Sequence, residues 1–250
     1  MKKHPIIVSI PHTSVFVPKD IKKNMIISER DIKNHADLYT DEIFNVSNAH
    51  ILKAKISRLI VDTNRAPDDI ETECRLQVDG VVVRTTPDGK VIYKSPPNIK
   101  TICNRIEKYH DSFHDELDKK IKETGANFLI DGHSMWSIGP KSLKDAGKKR
   151  ADICLGNRDY TSCTRLQTHF IKQFFESHGF SVSINNPYRG KFILGFHCHR
   201  QKFPGIQIEF NRSLYLDEKK LSCKASEVKN LNKIMEQLVD EISNNSSLTV

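Results

Sequence analysis

The feature that most constrains this chain is a short apolar run ending in ionisable side chains, and it recurs. Asn127 to Ser137 (NFLIDGHSMWS) opens like a buried strand, then breaks into Asp131, Gly132, His133 and Ser134. Ile6 to His12 (IIVSIPH) ends in Pro-His, and Leu59 to Arg65 (LIVDTNR) ends in Asn-Arg. Ile206 to Arg212 (IQIEFNR) carries Glu209 and Arg212. In open α/β sheets, ligands bind just outside the carboxyl ends of the strands. Four apolar segments that each release a His, Arg or Glu where apolarity stops predict an α/β protein with a polar site along one sheet edge.

Helical periodicity fills the intervals. Ser28 with Asp31 reads as a helix start, followed by Ile32, Ala36, Tyr39, Ile43 and Val46 at helical spacing, with Asp37 and Asp41 beside the stripe. Strands are expected at 51–54 and 56–61. Asn98 restarts a helix with the stripe Ile102, Ile106, Tyr109, Phe113, Leu117 and Ile121, stopped by Gly125. Ala151 to Leu155 and Phe180 to Ile184 read as further strands, and Gly156 to Asp159 as another polar strand end. Leu166 to Phe175 mark a helix, and a terminal helix carries Leu231 to Ile242. Two Asp-Gly signals, Val78-Asp79-Gly80-Val81 and Pro87-Asp88-Gly89-Lys90, predict a β-hairpin excursion over 66–97. The expected architecture is a three-layer mixed central sheet with helices on both faces, in one catalytic domain over 1–250.

The 38% hydrophobic and 28% charged content is that of an ordinary soluble chain, and no apolar run is long enough to span a bilayer. The amino-terminal run reads as a first strand and not a signal peptide, since it is short and lacks a cleavage site. Six cysteines without a C-x-x-C pair favour reduced thiols and a cytoplasmic protein. The net charge of +8 is spread over short lysine groups, with no basic arm or nucleic-acid motif. A solvated basic surface and a small-molecule substrate are expected, with neither nucleic acid nor membrane as partner.

His12 and His133, at two strand ends, are candidate metal ligands. A catalytic zinc takes three protein ligands, usually His with a carboxylate, and leaves a fourth position open. Asp37 is the preferred third ligand because its segment follows the His12 loop; Asp41, a turn later, is the alternative. Glu209 stands in an apolar run where an unpaired carboxylate is costly, so it either pairs with Arg212 or serves as a general base. Arg65 and Asn64 set a planar fork beside an amide, suited to gripping a carboxylate or to an ion pair with Asp62 or Asp68. His110 and His114 show the i, i+4 spacing of zinc proteases, but the required Glu is Asp111 and Phe113 lies on the buried stripe. His110 is instead a candidate pocket residue. His197-Cys198-His199 reads as a strand with both imidazoles on one face, and the polar 185–203 stretch with Gly190 as a substrate-facing loop.

Together these pieces resemble the N-formylglutamate amidohydrolase family and, more distantly, the fold of zinc carboxypeptidases and aspartoacylases. The resemblance rests on SIPHTS (9–14), Asp37, SRLIVDTNR (57–65), Tyr109-His110, LIDGHSM (129–135), LGNRDYTSC (155–163) and IQIEFNRSLY (206–215). It implies an amide hydrolase that splits N-formyl-L-glutamate into formate and glutamate, the end of one bacterial route of histidine degradation. It further implies a divalent metal, zinc, held by His12, Asp37 and His133, with Glu209 as general base and Arg65 as a catalytic partner. Asn64, Arg65, Ser134, Arg58, Arg212, His110 and Gly190 are the candidate substrate-binding residues. The competing readings are a related deacylase of another N-acyl amino acid, a basic nucleic-acid-binding domain, and an inactive relative serving as a binding protein.

Overall fold

The structure, a computed structural model, describes residues 3–70 and 80–249. Six strands form the central sheet: β1 (Ile6–Ile10), β2 (His50–Lys53), β3 (Phe128–Met135), β4 (Ile153–Gly156), β5 (Val182–Ile184) and β6 (Gly205–Asn211). Their order is β2-β1-β3-β6-β4-β5. β1, β2, β3 and β6 run parallel, β4 lies antiparallel to β6, and β5 follows β4. Around the sheet stand α1 (Lys19–Lys22), α2 (Glu29–His35), α3 (Thr40–Ile43), α4 (Ile99–Arg105), α5 (Ser112–Thr124), α6 (Arg165–Ser177), α7 (His199–Gln201) and α8 (Ala225–Asn244). A small ribbon, β7 (Leu216–Asp217) with β8 (Ser222–Cys223), precedes α8.

Strand alternation assigns the layers. Ile6, Val8 and Ile10 of β1, Phe128 and Ile130 of β3, and Ile206, Ile208 and Phe210 of β6 pack with α3, α6 and the apolar stripe of α8. Ile7 and Leu129 face the other way, onto Phe113, Leu117 and Ile121 of α5. Helices therefore cover both faces. Gly132 is required where α3 ends, because a Cβ there would stand 2.8 Å from the Phe44 ring. On the α5 face the alternation leaves Ser9, Asp131, His133, Gln207 and Glu209. These are adjacent across three strands, with Ser9 opposite Asp131, Asp131 opposite Gln207 and His133 opposite Glu209. A polar patch is thus built into the carboxyl half of the sheet.

Several local expectations are corrected. Leu59 to Val61 is not a strand. The Ile60 N–H returns to the Ser57 carbonyl at 2.9 Å, and Ile56, Leu59, Ile60 and Val61 enter a second apolar cluster with Val81, Ile92, Tyr93 and Ile102. A run this short is satisfied by any apolar wall, so its composition does not distinguish a strand from a packed loop.

The helix expected from Ser28 to Val46 breaks at Ala36 into α2 and α3. Arg212 takes up the carbonyls of Asn34 and Ala36, and the Asp37 N–H turns to the His12 carbonyl at 2.9 Å. The 98–124 helix is continuous, but Ile106–Asp111 is a π-helical turn, which replaces Tyr109 with His110 on the buried side. His197-Cys198-His199 spans the end of a second π-helical turn, Leu194–Cys198, and the start of α7, not a strand; only His197 of its two imidazoles is buried. In the 66–97 region Gly89 turns at φ +85 and Thr85 bridges Val91 antiparallel, whereas the Val78-Asp79 signal lies outside the described residues. Because β4 is antiparallel, Gly156 to Asp159 leaves the sheet at the edge opposite His133. Arg150, just before β4, stands at the site edge instead.

Candidate active site

Three of the predicted polar segments converge. His12 follows β1, His133 lies near the end of β3, and Asp37 sits in the break between α2 and α3. One ligand atom from each of the three, all buried, lies within 4.8 Å of the others. Each imidazole is fixed from behind by a second carboxylate. His12 Nε2 meets Asp62 Oδ1 at 2.7 Å, and His133 Nε2 meets Asp131 Oδ2 at 2.9 Å. That leaves both Nδ1 atoms facing Asp37 Oδ2, at 3.6 Å from His12 and 3.3 Å from His133. His12 Nδ1 is buried without a hydrogen-bond partner among the described residues. An orphaned imidazole nitrogen on His12, a His133 Nδ1 that meets only Asp37, a shared carboxylate oxygen and a carboxylate behind each ring form a donor set that fits a divalent cation.

Electrostatics keep the carboxylates of the set ionised and leave a proton on His133. Burial disfavours charge on Asp37, but the facing imidazoles of His12 and His133, with the Arg212 charge, keep its carboxyl well below the usual range. Burial opposes charge on Asp62 too, and Arg58, His12 and Arg65 outweigh it. His133 is pushed well above its ordinary value against its burial, chiefly by Asp131. A cation on Nδ1 would take the place of that proton.

Glu209 does not pair with Arg212. Its Oε1 accepts from Gln207 Nε2 at 2.8 Å, and burial pushes its carboxyl up to about 8; His133 and Arg58 oppose that rise, Asp37 and Asp131 add to it. It lies one strand from His133, in direct register. A buried carboxyl with a raised pKa beside a cation site is suited to take up and return a proton.

The remaining candidates divide. Arg58 donates to Asp62 Oδ2 at 2.7 Å and keeps 26% of its side chain exposed. Arg65 is half-buried on the same loop, and His110 and His114 hold the loop by meeting the carbonyls of Arg65 and Thr63, each at 2.9 Å. His110 therefore supports the loop that carries Arg65. Asp41 bonds Thr13 and Lys53 at the surface, away from the donor set. Ser134 alternates to the α3 face, where its Oγ accepts from Arg212 Nε at 3.2 Å. Arg212 is buried, and each of its three nitrogens donates to the protein, Nη1 to Asn34 O and Nη2 to Ala36 O and Asp37 Oδ1. Ser134 and Arg212 thus brace Asp37 instead of presenting donors to a ligand. Asn64 is buried with both side-chain polar atoms bonded. Gly190, at φ +87, lies against Leu194 and Arg158.

Sequence reasoning missed the orienting roles of Asp62 and Asp131. The i, i+2 spacing of Asp131 and His133 puts both on one strand face and was the available signal; nothing local points to Asp62. Tyr188 was also missed. It meets the Arg150 guanidinium at 3.3 Å, and its carbonyl accepts from Cys154, which is opposite Glu209 in the sheet.

A buried His–Asp–His donor set beside a raised carboxyl on an α/β sheet is an arrangement suited to hydrolysis. The sequence matches the model of the family described as N-formylglutamate amidohydrolase over residues 4–216, and the chain belongs to that family. It is 24% identical over 225 residues to an N-formylglutamate deformylase of Pseudomonas putida, covering 86% of this chain and 82% of that one. Its fold matches the crystal structure of an N-formylglutamate amidohydrolase from Ralstonia eutropha JMP134 with a TM-score of 0.84. That match has 21% identity and covers 96% of this chain and 95% of the other. A gene product of Agrobacterium tumefaciens aligns with a TM-score of 0.73 at 16% identity, over 96% and 92% of the two chains. No helix among the described residues is long and apolar enough to cross a membrane.

Proposed function

We infer that this chain hydrolyses the amide of N-formyl-L-glutamate to formate and L-glutamate. Family membership supports the substrate, and the observation that carries the chemistry is the pairing of the His12–Asp37–His133 donor set with Glu209 one strand away. His12, Asp37 and His133 would hold a divalent cation, zinc by the preference of an N/N/O set. When bound, the cation would polarise the formyl carbonyl and lower the pKa of the attacking water.

The chain's own residues do the rest. Glu209 takes the water's proton at a carboxylate oxygen and hands it to the nitrogen of the departing glutamate. Gln207 orients that carboxyl through the 2.8 Å bond to Oε1. Arg65 and Arg58 supply the cationic side of the pocket. Since a formyl group offers little surface, binding falls to the two carboxylates of the glutamyl part, which planar guanidinium groups recognise well. The activity would place the protein in histidine degradation in the cytoplasm.

The test is formate release from N-formyl-L-glutamate, compared with N-acetylglutamate and N-formylaspartate, on protein whose metal content has been determined. Preference for an acetyl or aspartyl substrate would favour a related deacylase.

A further inference from the structure

The resemblance casts the Asn64-Arg65 pair as a grip on the substrate carboxylate, but Asn64 has no polar atom to offer. Asn64 is 2% exposed, its Nδ2 donates to Asp131 Oδ2 at 3.1 Å and stands 3.1 Å from His133 Nε2, and its Oδ1 accepts the Ile193 N–H at 2.9 Å. Its backbone N–H donates to Asp62 Oδ1 at 2.9 Å. Asp62 and Asp131 are the two carboxylates behind His12 and His133. One residue therefore touches both orienting carboxylates, and through Ile193 it ties them to the segment that leads into the second π-helical turn.

We propose that Asn64 is a positioning residue that sets both imidazoles of the cation site through Asp62 and Asp131, and is not a substrate ligand. The inference rests on the reading of His12, Asp37 and His133 as that site. The physical reason is donor supply. Asp131 Oδ1 is already buried without a partner among the described residues, so the Asn64 amide is one of two donors holding Oδ2, with His133 the other. Without it the carboxylate is free to rotate, and the His133 ring follows. Groups that hold metal-ligating imidazoles from behind typically change metal affinity by about 10- to 100-fold when altered.

Asn64→Asp removes the Nδ2 donor that stands 3.1 Å from both Asp131 Oδ2 and His133 Nε2. It keeps an oxygen for the Ile193 N–H and the backbone bond to Asp62, but replaces the donor to Asp131 with a second carboxylate. The measurements are Zn(II) affinity by competition with a chelator of known strength, melting of the metal-free protein, and kcat and KM for N-formyl-L-glutamate. The expected result is zinc affinity weakened by about tenfold or more, a lower kcat and a KM changed far less. In a cycle with Asp131→Asn, the double variant loses no more zinc affinity than the worse single variant. Zinc affinity within about twofold of the parent, with the loss concentrated in KM, would make Asn64 a substrate ligand and overturn the proposal. Multiplicative losses in the cycle would do the same. If the metal-free melt shows that Asn64→Asp does not fold, Asn64→Ser, which keeps the backbone bond but reaches neither partner, is judged by the same criteria. An unsubstituted protein that binds no zinc overturns this inference together with the cation site. Zinc binding without hydrolysis of N-formylglutamate overturns only the substrate.

Discussion

Arg212 and Asp37 meet through a 3.1 Å bond from Nη2 to Oδ1, although one follows β6 and the other sits between two short helices. The same guanidinium takes the Asn34 and Ala36 carbonyls at the end of α2, so it ends that helix and aims the carboxylate that follows. Both partners are almost fully buried. Arg212→Met should strip Asp37 Oδ1 and the Asn34 and Ala36 carbonyls of their shared buried donor and destabilise the fold by about 3–5 kcal/mol. Urea denaturation of the metal-free protein measures it, and an unchanged midpoint would contradict this account of the helix break.

Glu209→Gln should keep the shape of the site and its cation while turnover falls by about 10²- to 10⁴-fold, the usual worth of a general base. Elemental analysis and steady-state rates on the same preparation separate the two effects. Because only the ionised carboxylate accepts a proton, activity of the parent should fall as pH drops through the Glu209 pKa, which burial raises to about 8 and a bound cation would pull down. A rate independent of pH over 5–8 would argue against this role.

Stripping divalent cations with a chelator should abolish hydrolysis, and zinc should restore it. The His12 and His133 imidazoles should also shift in NMR spectra on reloading, since both Nδ1 atoms face the shared carboxylate oxygen. Full activity in the stripped protein would remove the cation from the mechanism.

Acid should destabilise the fold through histidines that are buried in the neutral form. Burial lowers His35 to about 4 despite Asp88, and burial with the neighbouring His110 and His197 lowers His114 to about 2, against an ordinary value of 6.5. At these two histidines the unfolded chain therefore binds more protons than the folded one below pH 6.5. Their contribution to stability is fully present above that pH and is lost progressively as pH falls toward 4, against the opposite contribution of Glu209, whose raised carboxyl takes up its proton earlier in the folded chain. Denaturant midpoints at pH 7.5 and 5 should differ in that direction, and His114→Gln should flatten the difference.

Gly132→Ala should cost about 1–3 kcal/mol, as overpacking does in a close-packed core. The added Cβ would stand 2.8 Å from a ring that is fully buried and flanked by Phe210. A calorimetric melt tests it, with an unshifted Tm as the contrary result.

The sequence by itself determined much of this protein. Apolar runs bounded by polar residues marked the central strands, because a strand covered on both faces needs mostly apolar side chains, although Leu59 to Val61 shows that a packed loop can carry the same pattern. His12, His133 and Glu209 were legible for the same reason: an ionisable group at the end of a buried run is costly unless it has work to do there. What only the tertiary structure decided is which polar residues face a ligand and which face each other. Arg212, Ser134, His110 and Asn64 have the composition of binding residues, yet their hydrogen bonds go to protein groups supplied from elsewhere in the chain. Arg212 and Ala36 are 176 positions apart, and Asn64 and Ile193 are 129. Local patterning cannot register a partner at that distance. Folding decides it, since each buried donor and acceptor has to find a complement once water is gone.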